Sequence, residues 1–286
     1  MYHARPRQPL SSHAQECART MSALLAPLGL PRLGALTGGL HDFGKMSESF
    51  QEYIDFIEQN PLDKSKRGSI DHSTAGAQFV WHHLPATNEE LMIFRQITAL
   101  CIASHHHSSL IDCWRGTLPF DNIFHQRMEK PDKETHLNEI LSKLTPEEKD
   151  HYFSLVKQKE LLRELKNFHH HIQKLFGHSP EKTAFHYGLL GRFCLSGLIE
   201  ADYTSASGRG SHEGLTKPDW EGMKNNLERY LGKFRTDTPM NQSRAAMSQE
   251  CLQAAGGRVG KWNLTLPTGA GKTLASLRFA LEHARK

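Results

Sequence analysis

The 286-residue sequence contains no C-x-x-C pair, and its five cysteines (Cys17, Cys101, Cys113, Cys194 and Cys251) are an odd number. A zinc ribbon and a disulfide framework are therefore poor organising devices, and a reducing cytoplasm is the expected compartment. No run approaches the roughly 20 apolar residues a membrane span needs. The apolar stretch near the start, Ala23 to Leu30, is broken by Pro27 and Gly29 and lacks a clean cleavage site, so neither a signal peptide nor a membrane partner is expected. Charge of one sign is also scarce. Lysine and arginine number 35 against 31 acidic residues, a net +4 that suits nucleic acid without requiring it. Aromatic residues make up 8% and form no obvious stacking ladder for a single strand. No internal repeat stands out, and 38% hydrophobic with 23% charged residues describes an ordinary soluble chain of one to two domains, read as a monomer.

What the sequence has in excess is histidine, 19 in all. Histidine titrates near neutrality and is the commonest metal ligand, so a metal site is the first chemistry to look for.

Up to about residue 235 the patterning predicts helices. Ser12 with Gln15 reads as a capping box ahead of Cys17, Met21, Leu24, Leu25 and Leu28. Leu33, Leu36 and Leu40 lead into a second helix, and Phe50, Tyr53, Ile54 and Ile57 mark a third. Thr87 with Glu90 reads as another capping box, before Phe94, Ile97 and Cys101. Leu161, Leu165, Phe168, Ile172 and Leu175 form the clearest amphipathic stripe, and a more apolar helix is predicted from about Ala184 to Tyr203. Gln126 to Asp150 reads as a charged surface excursion. Residues 236–258 read as a linker, and the alternating Trp262, Leu264, Leu266 predicts a strand before a glycine-rich loop and a helix. The expected organisation is an all-α domain over 1–235 and, at 259–286, the strand–loop–helix opening of an α/β nucleotide-binding domain.

Several polar positions fall on the inward side of these helices. His41 and Asp42 follow the Leu33, Leu36, Leu40 stripe. Such a pair offers one neutral nitrogen and a carboxylate able to bridge two cations, which in turn can clamp the attacking and leaving oxygens of a phosphodiester. Lys45, four residues after His41, is placed to neutralise a phosphate. His105 continues the stripe of Phe94, Ile97 and Cys101, and His106 continues from Ile102; two imidazoles at an apolar helix end need a partner, and a metal is an economical one. His72, His13 in the first turn of the first helix, and Asp202 four residues after Leu198 complete the series. Taken singly, each of these three suits a capping or satisfied core role better than a ligand role. The His169–His171 triplet and His82-His83 carry no accompanying carboxylate motif and read as surface or helix-end residues.

The ordered series His13, His41-Asp42 with Lys45, His72, His105-His106 and Asp202 resembles the HD superfamily of metal-dependent phosphohydrolases. It is most similar to the HD nuclease domain of the CRISPR-associated type I helicase-nucleases, over roughly residues 10 to 205. The resemblance implies two divalent metal ions (manganese, nickel, cobalt, iron or magnesium) on an all-α scaffold. Asp42 would bridge them, His13, His41 and Asp202 would complete one metal, and His72, His105 and His106 the other, with Lys45 near the scissile phosphate. Counting back from Leu110-Ile111-Asp112 would instead make His106-His107 the tandem pair; His106 belongs to both readings.

Leu266-Pro267-Thr268-Gly269-Ala270-Gly271-Lys272-Thr273 resembles motif I of superfamily-two helicases, in a RecA-like domain. Its backbone N–H groups would cradle phosphates, with Gly269 and Gly271 giving the turn, Lys272 reaching the terminal phosphates and Thr273 holding magnesium. Only 13 residues follow Thr273, so the chain reads as a longer helicase-nuclease ending just after this motif, with ATP turnover reserved for the whole helicase. The implied activity is two-metal hydrolysis of single-stranded DNA delivered by a CRISPR surveillance complex of the Cascade type. An HD phosphohydrolase acting on nucleotides or cyclic dinucleotides is the alternative, and a docking module with a merely structural metal is a third reading.

Overall fold

Four glycines let backbones touch where the polar series converges. A computed structural model describes residues 2–285 except 64, 67, 107–109, 111–113, 116–120, 208–217 and 261. A short antiparallel hairpin, β1 (His3–Arg5) with β2 (Gln8–Pro9), leads directly into α1 (Leu10–Leu25). A 3-10 turn, Ala26–Leu28, ends at Gly29 in the left-handed region, φ +72°, and connects to α2 (Pro31–Leu40). A Cβ on Gly34 would overlap the Met21 carbonyl, and one on Gly38 would overlap the Cys17 carbonyl, so α1 and α2 lie in backbone contact. Downstream, a 3-10 turn at Phe43–Met46 precedes α3 (Glu48–Gln59), whose N-cap Ser47 accepts from Phe50 N. The fourth helix, α4 (Ser73–His83), meets this region at two more glycines. A Cβ on Gly44 would collide with the His72 carbonyl, and one on Gly76 with that of Leu40.

Helix α5 (Glu89–Ser104) starts at N-cap Asn88, whose side chain accepts from Leu91 N, one residue later than the expected Thr87. Beyond a two-residue-strand hairpin, β3 (Trp114–Arg115) with β4 (Asp121–Asn122), come α6 (Ile123–Met128), α7 (Asp132–Thr135), α8 (Leu137–Lys143) and α9 (Pro146–Lys157). Two long helices, α10 (Lys159–Phe176) and α11 (Pro180–Ser207), close the bundle. Met21, Leu25, Leu33, Leu40, Phe79, Phe94, Ile102, Leu165 and Leu198 are among the fully buried side chains of a single core. These elements form one compact unit, Met1–Leu215.

The second unit, Thr216–Lys286, contains α12 (Trp220–Leu231), α13 (Pro239–Ala254) and α14 (Lys272–Ala284). Arg278 on α14 pairs with both carboxylate oxygens of Glu228 on α12 at 2.6 Å each, and Lys224 pairs with Glu282 at 2.6 Å.

Several expectations need correction. Ser12 lies inside α1, which begins at Leu10 behind Pro9, because the unforeseen hairpin sets the helix start. The excursion Gln126 to Asp150 is not a surface segment: it folds as short helices that bury Met128, Leu137, Ile140 and Leu144. Each helix is too short to show a period, and Pro131 and Pro146 interrupt the pattern. Leu175, read as part of the α10 stripe, is exposed near the helix end. The stretch 236–258 is mostly helix α13 and not a linker, and Trp220–Leu231 falls in the second unit although the first domain was expected to reach 235. Residues 262–266 do not form the expected strand. A strand needs a neighbour to take its ladder hydrogen bonds, and none pairs with this segment among the described residues.

Gly38→Ala should separate α1 from α2 and lower stability by about 1–3 kcal/mol. Thermal unfolding checks this, and an unchanged midpoint would show that the close approach is dispensable.

Candidate metal centre

The sites of His41 and His105 are built alike. Each imidazole stands at the C-terminal end of its helix and gives its Nδ1 proton to the carbonyl three residues back: His41 to Gly38 O at 2.8 Å, and His105 to Ile102 O at 2.7 Å. A helix end leaves such carbonyls without intrahelical partners, so the bond costs the helix nothing. It also fixes the tautomer and turns the Nε2 lone pair inward. His72 stands at the N-cap of α4 with Nδ1 3.3 Å from Ile70 O. The neighbouring Asp71 anchors this corner. It accepts from Thr74 N at 3.1 Å and meets Lys130 Nζ at 2.7 Å and Arg127 at 3.3 Å. Burial alone would raise the Asp71 pKa, but the Lys130 hydrogen bond and Arg127 charge overcome it and hold the carboxyl at about 2.

Asp42 lies at the centre, and its two oxygens face different partners. Oδ2 is 3.0 Å from His13 Nε2 and 3.3 Å from His41 Nε2, while Oδ1 is 3.6 Å from His105 Nε2 and 3.8 Å from His72 Nε2. Asp202, on α11, joins the first group with Oδ1 3.3 Å from His13 Nε2. His106 joins the second, its Nε2 2.6 Å from His72 Nε2. The groups His13/His41/Asp42/Asp202 and Asp42/His72/His105/His106 each hold ligand atoms within 4.8 Å of one another. The structure thus brings all seven expected ligand residues together. His107 lies outside the described residues.

The donor set fits divalent cations. Both Asp42 oxygens and His105 Nε2 are buried and make no hydrogen bond of acceptable geometry, although charged groups crowd them. Such orphaned acceptors each cost about 1–3 kcal/mol, and a cation in each group would satisfy them. Imidazole and carboxylate together suit manganese, iron, cobalt, nickel or zinc better than calcium.

Lys45 is on the 3-10 turn rather than on an α-helical face. Its buried Nζ is 2.7 Å from Asp42 Oδ2 and 5.5 Å from the centre of the Phe50 ring. Burial would raise the Asp42 pKa, but the charges of His41 and then Lys45 keep it well below the usual carboxylate range. Burial would also discharge His13, yet the carboxylates of Asp202 and Asp42 facing its Nε2 prevail and raise it to about 11. His72 and His106 behave oppositely, pushed down by burial to about 4 and about 3.

Sequence reading missed the surrounding polar groups. Arg5, from the hairpin, places Nη2 3.6 Å from Asp202 Oδ1. Cys17, one turn after His13, forms a third close group with His13 and His41. Ser205 accepts from His13 Nδ1 and Glu16 accepts from Ser205. Only i+3 or i+4 spacing from a ligand could have signalled Cys17, Ser205 and Glu16, and nothing local marks Arg5. A cavity of about 310 Å³ opens beside Asp42, walled by Tyr2, Phe43 and Tyr152 among others. Away from the centre, His83 ends α4 and meets the rings of Phe79 and Phe153 at steep angles, whereas His169, read as a surface residue, is mostly enclosed, with Nδ1 2.7 Å from the Tyr187 hydroxyl and Nε2 3.6 Å from Glu90 Oε1.

In the second unit, Gly269 and Gly271 adopt φ +81° and +82°, and Lys272 and Thr273 begin α14. Arg244 Nε donates to Gly269 O at 2.8 Å, and a cavity of about 530 Å³ is lined by Arg244, Gly269, Gly271 and Arg278 among others. Among the described residues this segment is a loop and a helix, with no strand before the loop.

A helical scaffold that presents a buried His-Asp pair between two histidine groups defines a metal-dependent hydrolase of the HD class. The family described as "Cas3, HD domain" matches residues 6–191, and the chain belongs to this family. The match includes every histidine of the centre and stops short of Asp202. Among curated proteins, none matches the chain. Membership carries a metal-dependent nuclease role in CRISPR systems. No helix of the described residues is long and apolar enough to cross a membrane.

The opposed pKa shifts predict how the metal-free protein loads. His13 must lose a proton before it can act as a ligand, whereas His72 and His106 are already neutral near pH 7. Cation uptake at the His13 group should therefore release about one proton at neutral pH, and affinity there should weaken as pH falls. Calorimetric titration in buffers of different ionisation enthalpy measures the release.

Proposed function

We propose that this domain cleaves single-stranded DNA phosphodiesters by two-metal hydrolysis during type I CRISPR interference, on a strand delivered by a Cascade-type surveillance complex. The observation that carries the reading is the division of the Asp42 carboxylate, one oxygen toward His13 and His41 and the other toward His72 and His105. His41, His13 and Asp202 would hold one cation with Asp42, and His72, His105 and His106 the other. When bound, the two cations supply Lewis-acid charge to the phosphodiester and lower the pKa of water.

The chain's own groups do the rest. Asp42 keeps its carboxylate ionised and fixed between the two groups, and the Nδ1 bonds of His41 and His105 stop the imidazoles from rotating. Lys45 balances the Asp42 charge and is the ammonium placed to meet a phosphate. Exposed His106 and partly buried Asp202, on opposite groups, lie nearer solvent, while His13, His41 and Asp42 are closed off. The Gly269, Gly271, Lys272 and Thr273 loop belongs to the same reading as a phosphate cradle for ATP and magnesium of a helicase. The cavity beside it and Arg244 support that role.

Cleavage of circular single-stranded DNA with manganese, nickel or cobalt tests the proposal. Asp42→Ala should abolish cleavage, a loss of at least about 10³-fold for several kcal/mol of transition-state charge stabilisation. Lys45→Ala should cost about 10²-fold, and Lys272→Ala should leave the nuclease rate unchanged. Hydrolysis of nucleotides or cyclic dinucleotides without DNA cleavage would overturn the reading.

A further inference from the structure

His13 differs from the other deeply buried histidines of the centre in where its second nitrogen can find a partner. His41 and His105 use carbonyls freed by a helix end, but His13 is the fourth residue of α1, where the nearby carbonyls serve the helix itself. Its Nδ1 instead meets Ser205 Oγ at 2.9 Å, across 192 residues of sequence. We infer that Ser205 and Glu16 form a positioning relay that fixes His13 as a metal ligand; the inference rests on the two-metal reading above.

The hydrogen-bonding capacity of a hydroxyl makes the relay directional. Ser205 Oγ has one proton and two lone pairs. The proton goes to Glu16 Oε2 at 2.5 Å, where the carboxylate oxygen accepts it. One lone pair receives Gln8 Nε2 at 3.3 Å, the same amide that donates to Ser205 O at 3.3 Å. The remaining lone pair faces His13, so His13 Nδ1 must be the donor and Nε2 the atom turned toward Asp42 and Asp202. Were Ser205 free to rotate its proton toward the ring, the wrong tautomer would become accessible. Glu16 prevents this by claiming that proton.

The three partners come from separate parts of the chain. Gln8 is on β2, Glu16 is one turn beyond His13 on α1, and Ser205 is three residues beyond Asp202 on α11. The same turn of α11 thus supplies a direct ligand and the group that orients a second ligand. A carboxylate behind a ligating histidine also raises its donor strength, and loss of such a partner typically costs 10–100-fold in metal affinity. The effect should be confined to the His13 group, because no described contact of Ser205 or Glu16 reaches His72, His105 or His106.

Stepwise cobalt(II) titration of the full 286-residue chain, followed by visible absorption, tests the relay. Asp202→Asn and His106→Ala assign each binding step to its group. Ser205→Ala should weaken the Asp202-dependent step about 10–100-fold and leave the His106-dependent step intact, and Ser205→Thr should restore it. Glu16→Gln should weaken the same step several-fold. Wild-type affinity in Ser205→Ala, or equal weakening of both steps, would overturn the relay. If Ser205→Ala fails to fold by circular dichroism, Glu16→Gln decides by the same criterion. Absence of cobalt binding in the unsubstituted protein would instead count against the two-metal reading itself.

Discussion

A carboxylate held almost wholly out of water, with neither oxygen in a proper hydrogen bond, is the constraint around which the first unit is arranged. Asp42 would be costly to bury alone, and burial pushes it toward neutrality. His41 and Lys45 oppose that pressure from the same short segment, and His13, His72 and His105 converge from α1, the start of α4 and the end of α5. Without a cation the charges are balanced by protons, most plainly on His13. Protons therefore compete for His13 on one side of Asp42, whereas burial keeps His72 and His106 on the other side neutral near pH 7.

Close backbone approach makes this convergence possible. Gly38 lets α2 settle on α1 one turn from His13 and His41, and Gly44 lets the turn after Asp42 rest on the backbone of His72. Gly76 brings α4 against the residue just before His41. These glycines are thus as much a part of the metal centre as its ligands, because interiors packed at near-crystal density cannot absorb an added methyl without moving backbone. The Asp71, Arg127 and Lys130 ion pairs then hold the corner that carries His72.

How much of this was legible in the sequence varied with the kind of signal. The long helices were readable because α1, α5, α10 and α11 each carry several turns of periodic apolar residues. The short helices α6 to α9 were not, since four to twelve residues broken by prolines and rich in charge show no period even though they bury Met128 and Ile140. The expected strand at 262–266 failed for a different reason: alternation describes a strand only when a partner takes its hydrogen bonds. Helix α13 hid in a polar stretch whose apolar side is almost entirely small residues and methionines.

The order of His13, His41-Asp42, His72, His105-His106 and Asp202 was enough to suggest a metal-dependent hydrolase, because ligand chemistry depends on residue type and the family resemblance lies in their order. Only the tertiary structure could divide those residues into two groups, one on each oxygen of Asp42, or pair Lys45 with the carboxylate. It alone placed Ser205 and Glu16 behind His13. Such contacts join residues up to 192 positions apart, and no local pattern encodes which atoms meet when helices pack.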